Sequence, residues 1–470
     1  MTSYNAHRTA FRLAPLALAL LVSACSVGPD YKRPDVTMPL AFKEAKGWTA
    51  AIPQDNQQKG EWWSVYQDPD LSALLSQVQI SNQNVAQYAA QYREAQALVT
   101  QARAQQLPQV NATMDSTRSG TALSTSNKQS AQLSASWELD LWGKLRRTSE
   151  QQKASAQASA ADLADATLSA QSELAQDYFQ LRVMDEQIAL YQRSIQAYER
   201  YLVVIQNQYQ GGNTSRATLA QAQTQLESTR ASALQVQWQR AQLEHAIAVL
   251  MGKAPADFSL PAKTIKFTLP AIPPGVPSQL LQRRPDIAAA ERNMASANAA
   301  VGVATAAYYP DLTLSASGGF TSDALHSLFS LPNRVWSLGP ELSQTVLDFG
   351  ATRGKVEQAE AAYDANVASY RQTVLSAMQN VEDYLVELHT LDSQTLAQQR
   401  AADAAQESAR VTYNQYQAGM IDYLDVATTE NTSLSQQQSV LSLLSTQMTT
   451  SVKLIVALGG GWQGLDAGKK

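Results

Sequence analysis

Two hydrophobic periods alternate along the chain. From Lys144 to about Gln210 there is neither proline nor glycine. Apolar residues there fall at Leu174, Tyr178, Leu181, Ile188, Tyr191, Ile195, Tyr198, Leu202, Ile205 and Tyr209. This 3-and-4 spacing predicts a coiled-coil helix about 100 Å long at ~1.5 Å per residue. Arg353 to Ala418 repeats the pattern with smaller residues such as Ala402, Ala405 and Ala409. Residues 71–106 also lack helix breakers and predict one continuous helix that ends before Pro108.

Between the helices the period falls to two. Leu133, Ala135, Trp137, Leu139 and Leu141 alternate with polar residues, as do Leu312, Leu314, Ala316, Gly318 and Phe320. Val110-Ala112-Met114 and Trp336-Leu338-Pro340-Leu342 are weaker members. They predict four strands, apolar on one face, joined in pairs by Ser/Thr/Gly-rich loops over 117–130 and 321–334.

The pattern is written twice. Tyr209-Gln210-Gly211-Gly212 returns as Tyr416-Gln417-Ala418-Gly419, and Leu139-Asp140-Leu141-Trp142-Gly143 as Leu347-Asp348-Phe349-Gly350. The expected organisation is a leader (1–24), an N-terminal segment (25–70), a first repeat (71–252), a connector (253–277), a second repeat (278–459) and a tail (460–470). Each repeat runs helix, two strands, very long helix, turn, helix. Six prolines between Pro255 and Pro277 make the connector extended.

Composition narrows the function. Charged residues are 16% of 470, well below the roughly 25% of ordinary soluble domains. A net charge of −5 gives no basic footprint and argues against nucleic acid. A mean hydropathy of −0.27 excludes a polytopic helical membrane protein. One cysteine and four histidines leave no disulfide framework or zinc site, and no hydrolase, P-loop or dinucleotide signature is present. No catalytic residue, cofactor or metal site is expected. The leader itself has basic His7, Arg8 and Arg12, an apolar Leu13–Val22 run too short to span a bilayer, and Val22-Ser23-Ala24-Cys25. That ending resembles a lipobox and marks Cys25 as an acylation site, giving an exported lipoprotein with an acyl anchor; a soluble signal peptide cleaved near a cysteine is the other reading. Ser26 after it favours the outer membrane.

Strands of about ten residues with one apolar face suit an outer-membrane barrel. Four strands cannot close one, and open edges in lipid cost several kcal/mol per unpaired group. The barrel must therefore be shared between chains. A half-buried soluble sheet capping the helices is the alternative reading of the alternation.

The chain resembles the TolC-like outer-membrane efflux channels, in their lipoprotein (NodT/OprM-type) branch. The resemblance rests on Cys25 with Gly28-Pro29-Asp30-Tyr31, Trp62-Trp63 with Asp68-Pro69-Asp70-Leu71, Trp137 to Lys144, Gly275-Val276-Pro277-Ser278 with Arg283-Arg284-Pro285-Asp286, and Gly339-Pro340 to Gly350. It implies a mainly α fold with a membrane β portion: a homotrimer whose twelve-stranded outer-membrane β-barrel continues into a long periplasmic α-helical barrel. The segment after Cys25, the connector and the tail would form a belt around that helical barrel. The implied function is an exit duct without enzymatic activity. It would pass small molecules such as drugs outward from a periplasmic adaptor and an inner-membrane RND transporter, the barrel sitting in outer-membrane lipid. Service to a type I secretion or heavy-metal efflux system is an alternative. From another class, so is a structural periplasmic coiled-coil lipoprotein.

In the resembled family the periplasmic helix-turn tips close the duct. Here the tips carry Gly212 and Gly419 as helix stops. Three-fold symmetry would turn Asp422 and Asp425 into carboxylate rings, with Arg216 or Tyr423 pairing across to a neighbouring chain. The plainer reading makes Asp422 a helix N-cap with Asp425 in the first turn.

Overall fold

The computed structural model describes residues 26–35, 38–45, 61–264, 269–270, 272 and 283–461. Cys25, the leader and most of the tail lie outside them, as does part of the connector. Eleven longer elements follow in order: α1 (Pro69–Ser81), α2 (Gln83–Ala104), β1 (Gln109–Gly120), β2 (Thr125–Leu139), α3 (Lys144–Gln210), α4 (Arg216–Leu250), α5 (Pro285–Ala306), β3 (Asp311–Ser322), β4 (Arg334–Ser343), α6 (Ala351–Gln417) and α7 (Tyr423–Ala457). The chain divides into a strand-bearing unit, residues 1–36, 90–160 and 289–373, and a helical unit made of the remainder.

In the strand-bearing unit one antiparallel sheet has the order β1-β2-β3-β4. Paired residues share a face, so the register sorts the side chains. Rows such as Val110, Ala135, Ala316, Leu338 and Ala112, Leu133, Gly318, Trp336 form the apolar face. Rows such as Asn111, Ser134, Ser317, Ser337 form the polar one. The first hairpin differs from expectation: its strands run on to Gly120 and from Thr125, leaving a four-residue turn in place of the loop over 117–130. Polar Ser, Thr and Asn residues continue the ladder there because their backbones pair, whatever their side chains face.

The recurring Leu-Asp motif makes the passage from sheet to long helix, and β2 ends at Leu139, before Leu141. The Asp140 carboxylate accepts from the amides of Leu145 (3.0 Å) and Arg146 (2.8 Å). Asp348 accepts from Gly350 (3.0 Å) and Thr352 (2.7 Å). These bonds satisfy helix-start donors that have no partner inside the helix. Hydrogen bonds from Thr352 and neighbouring amides hold the Asp348 carboxyl below its usual range.

Helices α3 and α6 are 67 residues each, their first turns belonging to the strand-bearing unit, and α4 and α7, in the helical unit, are 35 each. The apolar seam of α3 is buried as its spacing predicts: Leu174, Leu181 and Ile205 are fully enclosed, whereas Tyr209, at the end, is exposed. The main core packs Trp62, Trp63 and α1 against Leu174, Tyr178 and Phe179. The predicted helix over 71–106 is two helices, broken at Asn82. The Asn82 amide nitrogen donates to the Leu250 carbonyl (2.8 Å), its oxygen accepts from Val85 N (3.1 Å), and Ser81 Oγ donates to the Met251 carbonyl (2.7 Å). The end of α4 is thereby satisfied at the expense of helix continuity. Nearby, Gly252 has φ of +66°, and a Cβ there would lie 2.0 Å from the Ser81 carbonyl oxygen.

A buried ion cluster fastens the connector to α3 and α4. Asp185 (2% exposed side chain) accepts from Arg182 Nη1 at 3.1 Å, Arg240 Nε at 2.9 Å and the Lys263 amide at 3.2 Å. Arg182 also donates to the Pro261 carbonyl (2.8 Å), and Arg240 reaches Glu244 and the Leu260 carbonyl.

Two other α3 carboxyls are half-buried and form no salt bridge among the described residues, with Arg284 only partly offsetting the rise at Asp165. Burial, reinforced by Asp286, raises the Asp165 carboxyl to about 6, and burial with Glu173 does the same for Asp177. Unfolded, both titrate near 3.9. Between about pH 4 and pH 6 the folded chain therefore holds more protons, and stability falls as pH rises through that window. Thermal unfolding should give a higher midpoint at pH 5 than at pH 7 from these groups, and Asp165→Asn should shrink the difference. An unchanged pH dependence in that variant would contradict the assignment.

Candidate functional site

Three places carry the functional geometry. The first is the sheet. On β2 the apolar rows extend from Ala131 to Leu139, about 26 Å along the strand at ~3.3 Å per residue. A tilt of about 40° reduces that to about 20 Å, near the roughly 25 Å apolar band of an outer-membrane barrel. Trp142 stacks on Tyr309 (centroids 4.8 Å) and donates to the Pro310 carbonyl (2.8 Å). These rings stand where the strands meet the helices, the position of an interfacial aromatic girdle. The opposite face presents Glu138, Thr313 and Glu341 in one row. Lys144 pairs with Glu138 (3.0 Å) and Asp311 (3.2 Å). Burial lowers and these carboxylates raise the lysine, with a net rise. Among the described residues, β1 and β4 each pair on one side only.

The second place is the strap that follows Cys25. Val27 N donates to the Trp142 carbonyl (3.0 Å). Asp30 receives Arg147 Nη2 at 2.7 Å, Asn298 donates to the Pro29 carbonyl (3.0 Å), and the Tyr31 hydroxyl donates to Glu291 (2.7 Å). Burial and the Glu291 carboxylate raise the Tyr31 hydroxyl, so it stays a donor at physiological pH. Gly28 makes the close approach possible, since a Cβ there would stand 2.4 Å from Gly302 Cα at a φ of +91°. Residues 26–35 thus belong with the strand-bearing unit, unlike the expected belt made of the whole 25–70 segment. Arg147, which sequence reasoning missed, is the reason: a cation 7% exposed on α3 that must find Asp30 and Glu150. Gly28→Val should undock the strap, so that hydrogen exchange at Val27 rises toward that of an unprotected amide while α3 stays protected. Retained protection at Val27 would show that the strap does not need this contact.

The third place is the pair of helix-turn tips, in the helical unit. Both helices end alike: Asn213 N reaches the Gln208 carbonyl (2.8 Å) and Met420 N the Gln415 carbonyl (3.0 Å), a Schellman closure. Gly212 (φ +75°) and Gly419 (φ +71°) supply the left-handed residue, and a Cβ at either would touch nothing. Ser215 caps α4 by accepting from Thr218 N (3.1 Å). Asp422 occupies the equivalent position on α7, yet its carboxylate makes no capping bond. Asp422 and Asp425 are both exposed and so is Arg216, which has no ion pair among the described residues.

Tyr423 lies elsewhere. It is 3% exposed and packs with Ile205, Ala222 and Val426 inside the chain's own tip, rather than standing free to reach a neighbour. Its ring meets Tyr416 (6.1 Å), Tyr416 donates to Gln208 (2.9 Å), and Tyr201 donates to Glu430 (2.9 Å). Burial pushes the Tyr423 hydroxyl up to about 12. The sequence did not single out this tyrosine cluster, although Tyr198, Tyr201, Tyr413, Tyr416 and Tyr423 are dense near the two turns.

The comparisons with known proteins agree with this geometry. The family model "Outer membrane efflux protein" matches residues 74–253 and 276–460, most of the chain in two stretches. The cation efflux system protein CusC of Escherichia coli K12 is 28% identical over 456 residues, covering 96% of this chain and 99% of CusC. The toluene efflux pump outer membrane protein TtgF of Pseudomonas putida is 29% identical, covering 96% and 97%. The solved outer-membrane channel OprN superposes with a TM-score of 0.86 at 29% identity, over 93% of this chain and all of the other. The apolar sheet face, its polar reverse and the long helices are therefore those of a transport wall: the chain belongs to the outer membrane efflux protein family and is an outer-membrane efflux channel that extends into the periplasm.

Proposed function

We infer that three copies of the chain join edge to edge, β1 of one to β4 of the next, to close a twelve-stranded barrel. The observation that carries this is a four-stranded sheet with one apolar face and an unpaired edge at each side. An open edge in lipid costs several kcal/mol per unsatisfied group, and cyclic symmetry removes both edges at once. The polar rows then line the lumen, with Glu138 and Glu341 repeated around it. Two structural repeats, 71–252 and 278–459, supply the wall, with the connector 253–277 between them. Cys25 carries the acyl anchor, a reading supported by its neighbour Ser26, which packs against Gly143 at the sheet-to-helix passage.

The channel serves as the exit duct of a tripartite pump, receiving small molecules from a periplasmic adaptor and an RND transporter, and it conducts rather than catalyses. Relatives named for cation efflux and for toluene efflux share the architecture, so the pump upstream selects the cargo. Asp422 and Asp425 ring the periplasmic mouth, and the exposed Arg216 at the other tip is free to pair across to a neighbouring chain. Tyr423 anchors α7 behind these rings. Deletion of the gene should sensitise cells to the exported compounds, and the intact gene should restore resistance only together with its adaptor and pump. Unchanged susceptibility to antibiotics, solvents and metal ions would oppose the reading.

A further inference from the structure

The apolar face of the sheet is not a plain lipid-facing surface at the end away from the helices. The segment 323–333 between β3 and β4 folds back onto that face, and its Phe329 ring meets Phe320 edge-on at 5.6 Å. The fold-back is built by hydrogen bonds. Ser322 and Ser327 hydroxyls pair at 2.8 Å, and Asn333 Nδ2 donates to the Ser327 carbonyl (2.8 Å) and to Ser330 Oγ (3.0 Å). Leu328 is 1% exposed beneath them. Phe329 itself remains 68% exposed and Trp336 74%, so the rings flank a space that no described residue fills.

That space is a groove of about 800 Å3, walled by Met114, Leu133, Phe320, Phe329 and Trp336. Its floor is open at Gly318, where a Cβ would meet nothing within 4 Å. At the end of the apolar rows, beside Phe320, stands Arg334, exposed and without a salt-bridge partner among the described residues. The segment carries one carboxylate, Asp323, and it forms no ion pair with Arg334 among the described residues. An apolar slot ending at an unpaired guanidinium matches an acyl chain that ends in a phosphate-bearing head. The hairpin ends of the strands are the ends that do not lead into a long helix, so the slot opens into the outward leaflet.

We propose that the groove under the β3–β4 fold-back is a specific site for one acyl chain of a phosphorylated glycolipid of the outward leaflet, lipid A, with Arg334 binding its phosphate. The site is complete within one chain and does not depend on how many chains close the barrel. Occupancy would brace the fold-back against the sheet from the membrane side.

The test uses the full-length, folded protein, stripped of lipid in detergent and titrated in native mass spectrometry with three probes: lipid A, dephosphorylated lipid A and phosphatidylglycerol. One lipid A should bind per chain, and loss of its phosphates should weaken binding about tenfold, the scale of one charge-assisted contact. Arg334→Gln should weaken lipid A binding by a similar factor and leave the dephosphorylated form unaffected. Gly318→Leu, which fills the floor at an ordinary φ, should abolish binding of both. Equal binding of all three probes, or lipid A binding unchanged in Arg334→Gln, would overturn the proposal. Because the Arg334 side chain is exposed and makes no hydrogen bond or ion pair among the described residues, that variant decides the matter even if Gly318→Leu does not fold.

Discussion

Replacing Asp185 by alanine is expected to destabilise the helical unit by about 3–5 kcal/mol, the cost of leaving a buried charge without its partner. Asp185 is the one carboxylate that contacts Arg182, Arg240 and the Lys263 amide together. With it gone, the guanidinium of Arg182, 1% exposed, keeps the Pro261 carbonyl and the face of the Tyr178 ring at 4.9 Å, but of carboxylates only that of Asp70 at 3.8 Å among the described residues. Arg240 retains Glu244 and the Leu260 carbonyl, so the loss concentrates on Arg182. Residues 260–263 should come off α3 and α4 in the same step. The check is a denaturant midpoint with hydrogen exchange at Lys263. A second variant, Arg182→Met with Asp185→Leu, removes both charges and should recover much of the loss. If Asp185→Ala costs less than about 1 kcal/mol, the cluster does not hold the connector.

The second large effect is on conduction. Asp422→Ala combined with Asp425→Ala should lower the cation-over-anion preference of the channel about tenfold, since a mouth lined by one sign of charge raises local counter-ion concentration by about 10–10³. Neither carboxylate is buried and Asp422 makes no capping bond, so the fold should be nearly unaffected, within about 0.5 kcal/mol. The contrast is Tyr423→Ala, which empties a packed position and should loosen the tip itself. Reversal potentials in planar bilayers under a salt gradient measure the preference directly. An unchanged reversal potential in the double variant would remove both aspartates from the conduction path.

Much of this architecture is written in local pattern. The 3-and-4 seam of α3 marks Leu174, Tyr178, Leu181 and Ile205, all of them enclosed, because a long helix must bury one narrow stripe. Period-two alternation assigns the two sheet faces, because paired residues share a side. What stayed hidden depends on distant partners. Nothing around Asn82 announces a break, since its cause is the carbonyl of Leu250 at the end of another helix. Arg147 and Asp185 look like charges on a wet helix face until Asp30 and residues 260–263 arrive beside them. The tip was legible in part. The glycine stops and the exposed aspartates follow from the sequence, whereas Tyr423 turned inward because the two helical hairpins meet there through tyrosine rings. The reading as a periplasmic spacer does not survive family membership.

Closure of the barrel by three chains is open to a single measurement. Native mass spectrometry of the detergent-extracted, unmodified protein tests it most directly. Particles of three chains are expected. A stable particle of one chain, needing no detergent once its acyl groups are removed, would contradict it, because the unpaired edges of β1 and β4 would then have no place in a membrane.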